Sequence, residues 1–482
     1  MQILYTIYLI LICTVLPIYM KDGYYELGEA KALGYLVMSA PFAALMIYNV
    51  IFSAKSRKPE KATSISLTEF FMYGTAFSMA ISLLFSVDKK VAFTGYAGWR
   101  NGFLISFIAL AIGFAFSKSR FIVKDWLIVL ILVFPFFEFV LSILNRFSIY
   151  PILFNGQGNS FLATIGNINW YCGFLSIWVP LGIGIMYLQK KFSWKFWACG
   201  VYVVTGLVAL FLQGSNGGSL ILLASYLLLL WWSLSSREGF YRFLIQLFVL
   251  GLSMFIVYVT LWFASGSYNY EGNLLVSICE ANIGIILMAA AFFIYRVSRL
   301  FEEIKVPFRE RLYKSIAGVG IVLLIGVGSV WTVLSFSDDF GNGRGIIYRM
   351  CLDIYMGLPS WQKLVGIGQD CLYPYAMADA IWSSSFRNVF GELALTNAHC
   401  ELLSVLIERG LLGAFLYLGL FVSVILMLFR VKEKEPKAVS LGLPIISYFV
   451  FNQISFSQVM SMPYLYILIG MATTLSEIGN RN

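Results

Sequence analysis

Apolar stretches of about 18 to 25 residues recur along the whole chain, each long enough to cross a hydrocarbon core of ~30 Å as a helix. They fall near residues 3–20, 32–53, 68–87, 103–117, 125–144, 163–188, 196–213, 217–234, 243–264, 274–295, 315–335, 408–429, 439–456 and 463–478. The pattern predicts an all-α polytopic membrane protein with about fourteen transmembrane helices, because a segment in lipid must satisfy its own backbone polar groups. The first stretch reads as an ordinary span, since no A-x-A-like cleavage site follows it.

Most connections between these stretches hold about ten residues or fewer, and a much longer one in a compact protein is usually functional or disordered. The exception runs over 336–397 and carries Tyr348, Tyr355, Trp361, Tyr373, Tyr375, Trp382 and Phe386. That aromatic content argues for a packed segment rather than a disordered one. Short helices are expected over Ile346–Met356 and Met377–Phe386, with Pro359, Gly366, Gly368 and Pro374 punctuating between them. The chain therefore divides into helices one to eleven over 1–335, a loop with the start of the following helix over 336–407, and three last helices over 408–482.

Composition narrows the class. Hydrophobic residues make up 60% of the chain, charged residues 12%, and mean hydropathy is +0.81, which excludes an ordinary soluble domain. The formal charge of +9 follows the positive-inside rule. With the N-terminus cytoplasmic, every second connection is basic: Lys55, Arg57, Lys58 and Lys61; Lys118, Arg120 and Lys124; Lys190, Lys191 and Lys195; Arg237 and Arg242; then 296–314 and 430–437. Both termini are then cytoplasmic and the long loop lies outside. No basic domain exists to bind nucleic acid. The seven cysteines form no CxxC pair; Cys13, Cys172, Cys199 and Cys279 fall in or near spans, while Cys351, Cys371 and Cys400 face outward, where a Cys351–Cys371 disulfide is one option.

Candidate chemistry gathers at one face. His399 is the only histidine, so it can move a proton near neutral pH but cannot assemble a multi-histidine metal site. Arg344 sits in Gly341-Asn342-Gly343-Arg344-Gly345, where the backbone can approach a ligand closely and the guanidinium can fork onto phosphate oxygens. Arg100, Arg349 and Arg387 fall on the same side, each with interfacial anchoring as its alternative role. Gly166-Asn167-Ile168-Asn169 either aims amides into a cavity or caps the helix that follows.

Ala398-His399-Cys400-Glu401-Leu402-Leu403, followed by Leu406, Gly410 and Gly413, resembles the A-H-N-E-Y-L...L...G..G signature of the O-antigen ligase and polymerase family of membrane glycosyltransferases. Gly341–Arg349 is similar to that family's S-G-R...W segment, Leu364-Val365-Gly366-Ile367-Gly368 to its L-x-G-x-G turn, Gly166–Asn169 to its G-N-x-N, and Arg100 with Gly102 to its aromatic-x-R-x-G loop. The resemblance runs from about residue 95 to 425, and departs from the family pattern at Cys400, where Asn is usual, and at Ser215-Asn216-Gly217, where Ser-Arg-Gly is usual.

That resemblance implies a metal-independent, cofactor-free glycosyltransferase of the bacterial cytoplasmic membrane. It would take glycan from a polyprenyl diphosphate carrier on the outer side and pass it to an acceptor hydroxyl. His399 and Arg344 are the catalytic candidates it implies; Arg100, Arg349, Asn167, Asn169, Glu401 and Arg387 are candidates for substrate binding. The favoured reading is a polymerase of a capsular or O-antigen-type polysaccharide, since no feature of the chain points to an outer-membrane acceptor. Its partners would be the lipid-linked oligosaccharide, an acceptor glycan or lipid-linked repeat, membrane lipid and a chain-length regulator. A ligase that moves a finished glycan to a lipid or protein is the alternative, and a flippase or transporter of lipid-linked oligosaccharide is a second. A transporter would carry charged residues deep in its spans and repeat symmetry, whereas the polar groups here mass at one face.

Overall fold

The computed structural model describes residues 2–55, 65–119, 121–270, 273–432 and 435–479. Arg57, Lys58, Lys61, Arg120 and Lys434 of the basic connections lie outside these residues. Most of the described chain is helical and almost none of it is sheet, in keeping with apolar windows that leave no room for a sheet edge in lipid.

The N-terminal part runs through α1 (Gln2–Ile18), α2 (Leu27–Lys55), α3 (Leu67–Leu84), a short α4 (Lys89–Thr94), α5 (Phe103–Lys118) and α6 (Asp125–Arg146). Local chemistry sets several of the ends. Ser66 and Glu69 form a reciprocal capping box at the start of α3. Asp88 takes the Lys90 and Val91 amides and starts α4, a turn the hydropathy pattern did not announce. Lys31 is buried on α2 and donates to the Leu16 carbonyl at 3.0 Å, closing the last turn of α1.

A two-residue strand pair, Phe161–Leu162 with Gly166–Asn167, precedes α7 (Ile168–Leu188), so that helix starts later than the apolar window at 163 suggests. Next come α8 (Trp194–Leu212), α9 (Gly217–Ser233), α10 (Arg237–Ala264), α11 (Leu274–Glu280), α12 (Ile283–Glu303) and α13 (Glu310–Leu334). One stretch expected as a continuous span, 274–295, is broken between α11 and α12. Asn282 adopts φ 58 there, a left-handed conformation that Asn tolerates and a helix does not.

The long connection is folded. It holds α14 (Phe340–Gly357), α15 (Ser360–Val365), α16 (Leu372–Ala378) and α17 (Ala380–Phe390). Where a helix over Met377–Phe386 is expected, Asp379 instead ends α16 and caps α17 through the Ile381 and Trp382 amides. The connection makes a small core of its own, in which two of the aromatic residues that argued for packing, Tyr355 and Phe386, are buried with Ile347, Ile354 and Leu372, while Trp361 is exposed. Cys351 and Cys371 belong to this core as free thiols, so the disulfide option is not taken up. The chain closes with α18 (Glu401–Val431), α19 (Ala438–Phe451) and α20 (Met462–Gly479).

Among the described residues nine helices are long and apolar enough to cross a membrane: α2, α3, α6, α7, α8, α10, α12, α13 and α18. Five shorter apolar helices of 10–17 residues occupy other expected positions: Gln2–Ile18, Phe103–Lys118, Gly217–Ser233, Ala438–Ile454 and Met462–Ser476. This is a multi-pass membrane protein.

Packing groups the chain into two units that do not follow chain order. One comprises Met1–Ile131, Ser337–Ala438 and Asn452–Asn482; the other comprises Leu132–Phe336 and Val439–Phe451. Small residues let helices close up within each. In the first unit a Cβ on Gly470 would come within 2.2 Å of the Gly113 carbonyl oxygen, bringing α20 and α5 backbone to backbone. In the second, Gly251 and Gly284 do the same for α10 and α12, at 2.7 and 2.6 Å.

Candidate functional site

His399 lies in the first unit on the turn leading into α18, with φ 49. The turn is fixed on several sides. Asn397 Oδ1 accepts the His399 amide at 3.0 Å, Ser404 Oγ accepts the Ala398 amide at 3.1 Å, and the Tyr348 hydroxyl donates to the His399 carbonyl at 3.3 Å. The imidazole meets Phe456 edge-on at 5.5 Å between ring centroids, and its nitrogens have no protein partner among the described residues. Burial, then the positive charge of Arg344, lowers its pKa to about 4. At neutral pH the ring is therefore uncharged, with one nitrogen able to accept a proton.

The neighbour that imposes this charge is Arg344. Gly341, Asn342 and Gly343 all take positive φ, at 63°, 59° and 80°, a left-handed loop that ordinary side chains resist. Regular helix geometry resumes at Arg344, so its guanidinium leaves from the start of the true helix. It is partly buried, with neither an ion pair nor a side-chain hydrogen bond among the described residues. Burying even part of a guanidinium without a counter-charge is costly, so a bare arginine beside a neutral imidazole is a place for an anion to sit. Tyr348 stands at the same spot, its hydroxyl pushed up to about 12 by burial with Arg344 opposing.

The other arginines are engaged or remote. Arg100 is clamped by Glu29: Nη2 lies 2.7 Å from Oε1, and Nε donates to Oε1 at 2.8 Å and Oε2 at 3.0 Å. The pair raises the arginine further and makes it a brace for its own loop rather than a free clamp. Arg349 pairs with Asp338 at 2.5 Å, both side chains about half exposed. Arg387 is exposed on the last turn of α17. Glu401, expected to touch substrate, is buried and accepts the Ser457 amide at 2.6 Å.

Asn167 and Asn169 lie in the second unit, where both are hydrogen-bonded. Asn167 caps α7 by accepting the Asn169 amide at 2.9 Å, and Asn169 Oδ1 accepts the Ser215 hydroxyl at 3.0 Å. Two motifs that the sequence separates by about fifty residues are thus one hydrogen-bonded corner.

Comparison with protein families finds no matching family model, and comparison with curated proteins finds no match. The assignment of chemistry consequently rests on the residues themselves.

The sequence shows the glycine motifs but not their docking, and Asp370, Glu408, Arg409 and Arg146 escaped it. The glycine turn at 364–368 and the break in α18 are partners: the Ile367 and Gly368 amides donate to the Ile407 and Glu408 carbonyls, both at 3.1 Å. Gly410, with φ 68, is where α18 opens; a Cβ there would lie 2.2 Å from the Leu364 carbonyl carbon. Gly413 leaves room for the Arg409 side chain, whose Cβ it would otherwise meet at 2.3 Å. The turn continues to Asp370, whose Oδ2 accepts the amides of Tyr96 at 2.6 Å and Asn101 at 3.2 Å and so closes the Arg100 loop. The signal for the buried charges was Glu408-Arg409-Gly410, a charged pair beside a glycine at the head of an apolar window. Arg146 was missed in the second unit. It is 1% exposed, donates from Nη1 to the Asn159 carbonyl at 2.7 Å and from Nη2 to the Gln213 carbonyl, and lies over the Tyr270 ring at 4.3 Å.

Proposed function

We propose that this protein is a glycosyltransferase that polymerises a surface polysaccharide, taking glycan from a polyprenyl diphosphate carrier on the outer side of the bacterial cytoplasmic membrane. The observation that carries the proposal is the bare Arg344 guanidinium beside a neutral His399. The proposed topology has fourteen spans, the nine long helices and five short apolar ones, with both termini cytoplasmic and the 336–397 connection outside.

In the proposed reaction the acceptor hydroxyl oxygen bonds to the anomeric carbon while the bond from that carbon to the diphosphate oxygen breaks. The diphosphate leaves as a stable anion, so the leaving side needs cations rather than a carboxylic acid. Arg344 supplies the charge there. On the other side His399 takes the hydroxyl proton, a contribution of roughly 10² to 10⁴ in rate. The low pKa of His399 and the charge of the donor fit together. Burial depresses His399 first and the Arg344 charge second; a diphosphate on Arg344 offsets the second of these, and to that extent donor binding raises the strength of the base. The proton then returns to the departing diphosphate or to water.

A reconstituted assay with a polyprenyl-diphosphate oligosaccharide tests this. A ladder of products from wild type that His399→Ala abolishes is the expected result. A single transfer to an added lipid or protein acceptor would make the protein a ligase. Movement of the lipid-linked donor across the bilayer with no transfer would make it a transporter.

A further inference from the structure

Beside His399 a closed chain of hydrogen bonds surrounds a cavity of about 40 Å³. From Asp370 it runs through the Asn101 amide to Asn101 Nδ2, which donates to the Ser457 carbonyl at 2.9 Å; the Ser457 amide goes to Glu401; α18 continues to Glu408, whose carboxyl takes the Asp370 amide. Phe456, next to Ser457, is wedged between Trp99 at 5.2 Å and the His399 ring at 5.5 Å. The chain of bonds therefore ties the Arg100 loop to the turn that carries His399.

Inside the cavity polar groups are left over. Arg409 is 5% exposed and its Nε and Nη1 have no protein partner; Gln369 is 3% exposed and its Oε1 has none. Buried polar groups in a roomy polar space bind water, and at ~10–15 Å³ for each water this cavity has room for about three. Its charge does not balance, since Asp370, Glu401 and Glu408 face a single Arg409. Arg100 stands behind Asp370 but is already committed to Glu29.

We propose that this cavity is a second functional site, a buried proton site in which ordered water bridges Arg409 and Gln369 to the carboxyls of Asp370, Glu401 and Glu408, one proton is retained among them, and its release to solvent loosens the junction between the Arg100 loop and the His399 turn. The groups facing Asp370 are Arg100 and Tyr96 from the loop, Cys371 on its own turn, and Glu408 and Arg409 from α18; Tyr466 of α20 closes the Arg409 side. Burial raises Asp370 to about 7, against the Tyr96 and Asn101 amides and Arg100, which act the other way. A carboxyl raised in the folded state makes that state bind more protons than the unfolded chain. Its contribution to stability therefore falls as pH rises from the ordinary carboxylate range through about 7.

The site goes beyond the proposed transfer reaction and is tested without it. Infrared difference spectra of the full-length protein in lipid nanodiscs are recorded on stepping from about pH 5 to about pH 9. The expected result is loss of a carboxylic-acid C=O band with a midpoint near neutral pH, absent from Asp370→Asn, which keeps an oxygen for the two amides. Asp370→Asn should also become more heat-stable relative to wild type as pH rises, a difference in which the His399 titration cancels. If that variant does not fold, Glu408→Gln serves, with the midpoint displaced because a carboxyl that interacts with Asp370 is gone. Amide exchange at 95–102 and 456–458, corrected for its intrinsic pH dependence, should quicken above neutral pH in wild type. A wild-type spectrum without a neutral-range carboxylic-acid band, a band unchanged in both variants, or exchange that does not respond to pH overturns the proposal.

Discussion

An imidazole must be uncharged before it can take a proton, and burial beside Arg344 keeps His399 uncharged down to about pH 4. In the proposed reaction kcat/KM for the free enzyme should therefore stay level from neutral pH down to about pH 5 and fall only as His399 protonates, a limb that His399→Gln removes along with roughly 10² or more of the rate. An acid limb unchanged in the variant would assign it elsewhere. Arg344 and Arg349 make a paired test, since one is bare and the other already holds Asp338. Arg344→Lys should cost at least ~10-fold in donor-dependent rate, because a point charge cannot reproduce the guanidinium fork. Arg349→Ala should leave both rate and folding close to wild type, as exposed pairs are worth about 0–1 kcal/mol. Equal effects at the two positions would dissolve the distinction drawn from their partners. Residue identity was legible here from the sequence; partnership was not, since Glu29 lies some seventy positions from Arg100 and no local pattern joins them.

At the scale of the element, α18 teaches most. A hydropathy window places the span from about 408, because Glu401, Glu408 and Arg409 dilute the first turns. The structure starts the helix at Glu401 and opens it at Gly410, where the 364–368 turn slots its amides against the freed carbonyls. Broken helices near membrane depth persist only when protein satisfies the backbone that the break releases. Gly410→Ala should therefore be severe: φ 68 disfavours a side chain, and the Cβ would lie 2.2 Å from a backbone carbon of Leu364. We expect little folded protein by size-exclusion chromatography in detergent. Gly320→Ala on α13, where nothing lies within 4 Å of the added carbon, should elute as wild type. Comparable recovery of the two would show that the α18 break does not need glycine. The sequence displayed both glycine motifs, but nothing in their spacing says that one docks into the other.

For the whole molecule, orientation is the property open to test. Single cysteines placed at Arg387 and at Lys191, in a chain with its seven native cysteines replaced, should react oppositely with a membrane-impermeant thiol reagent on intact cells: the first labelled, the second protected until the membrane is opened. The reverse would invert the proposed topology and remove the site from the outer face. Class and the approximate places of most spans were fixed by composition and run length, since the bilayer imposes one demand on every segment that crosses it. The tenth window shows the limit: hydropathy averages over Asn282, while a single left-handed residue is enough to split the helix. Which helices pack together was decided by tertiary structure alone. Residues 337–438 join the first unit and 439–451 the second, although the chain between them is continuous. The same holds for the candidate site. Sequence supplied His399, Arg344 and the glycines, because residue type and spacing are local facts. Whether a charge is bare, as at Arg344, or spent, as at Arg100, depends on which distant side chain the fold brings within hydrogen-bond reach, and so does the cavity that Asp370, Glu401 and Glu408 line together.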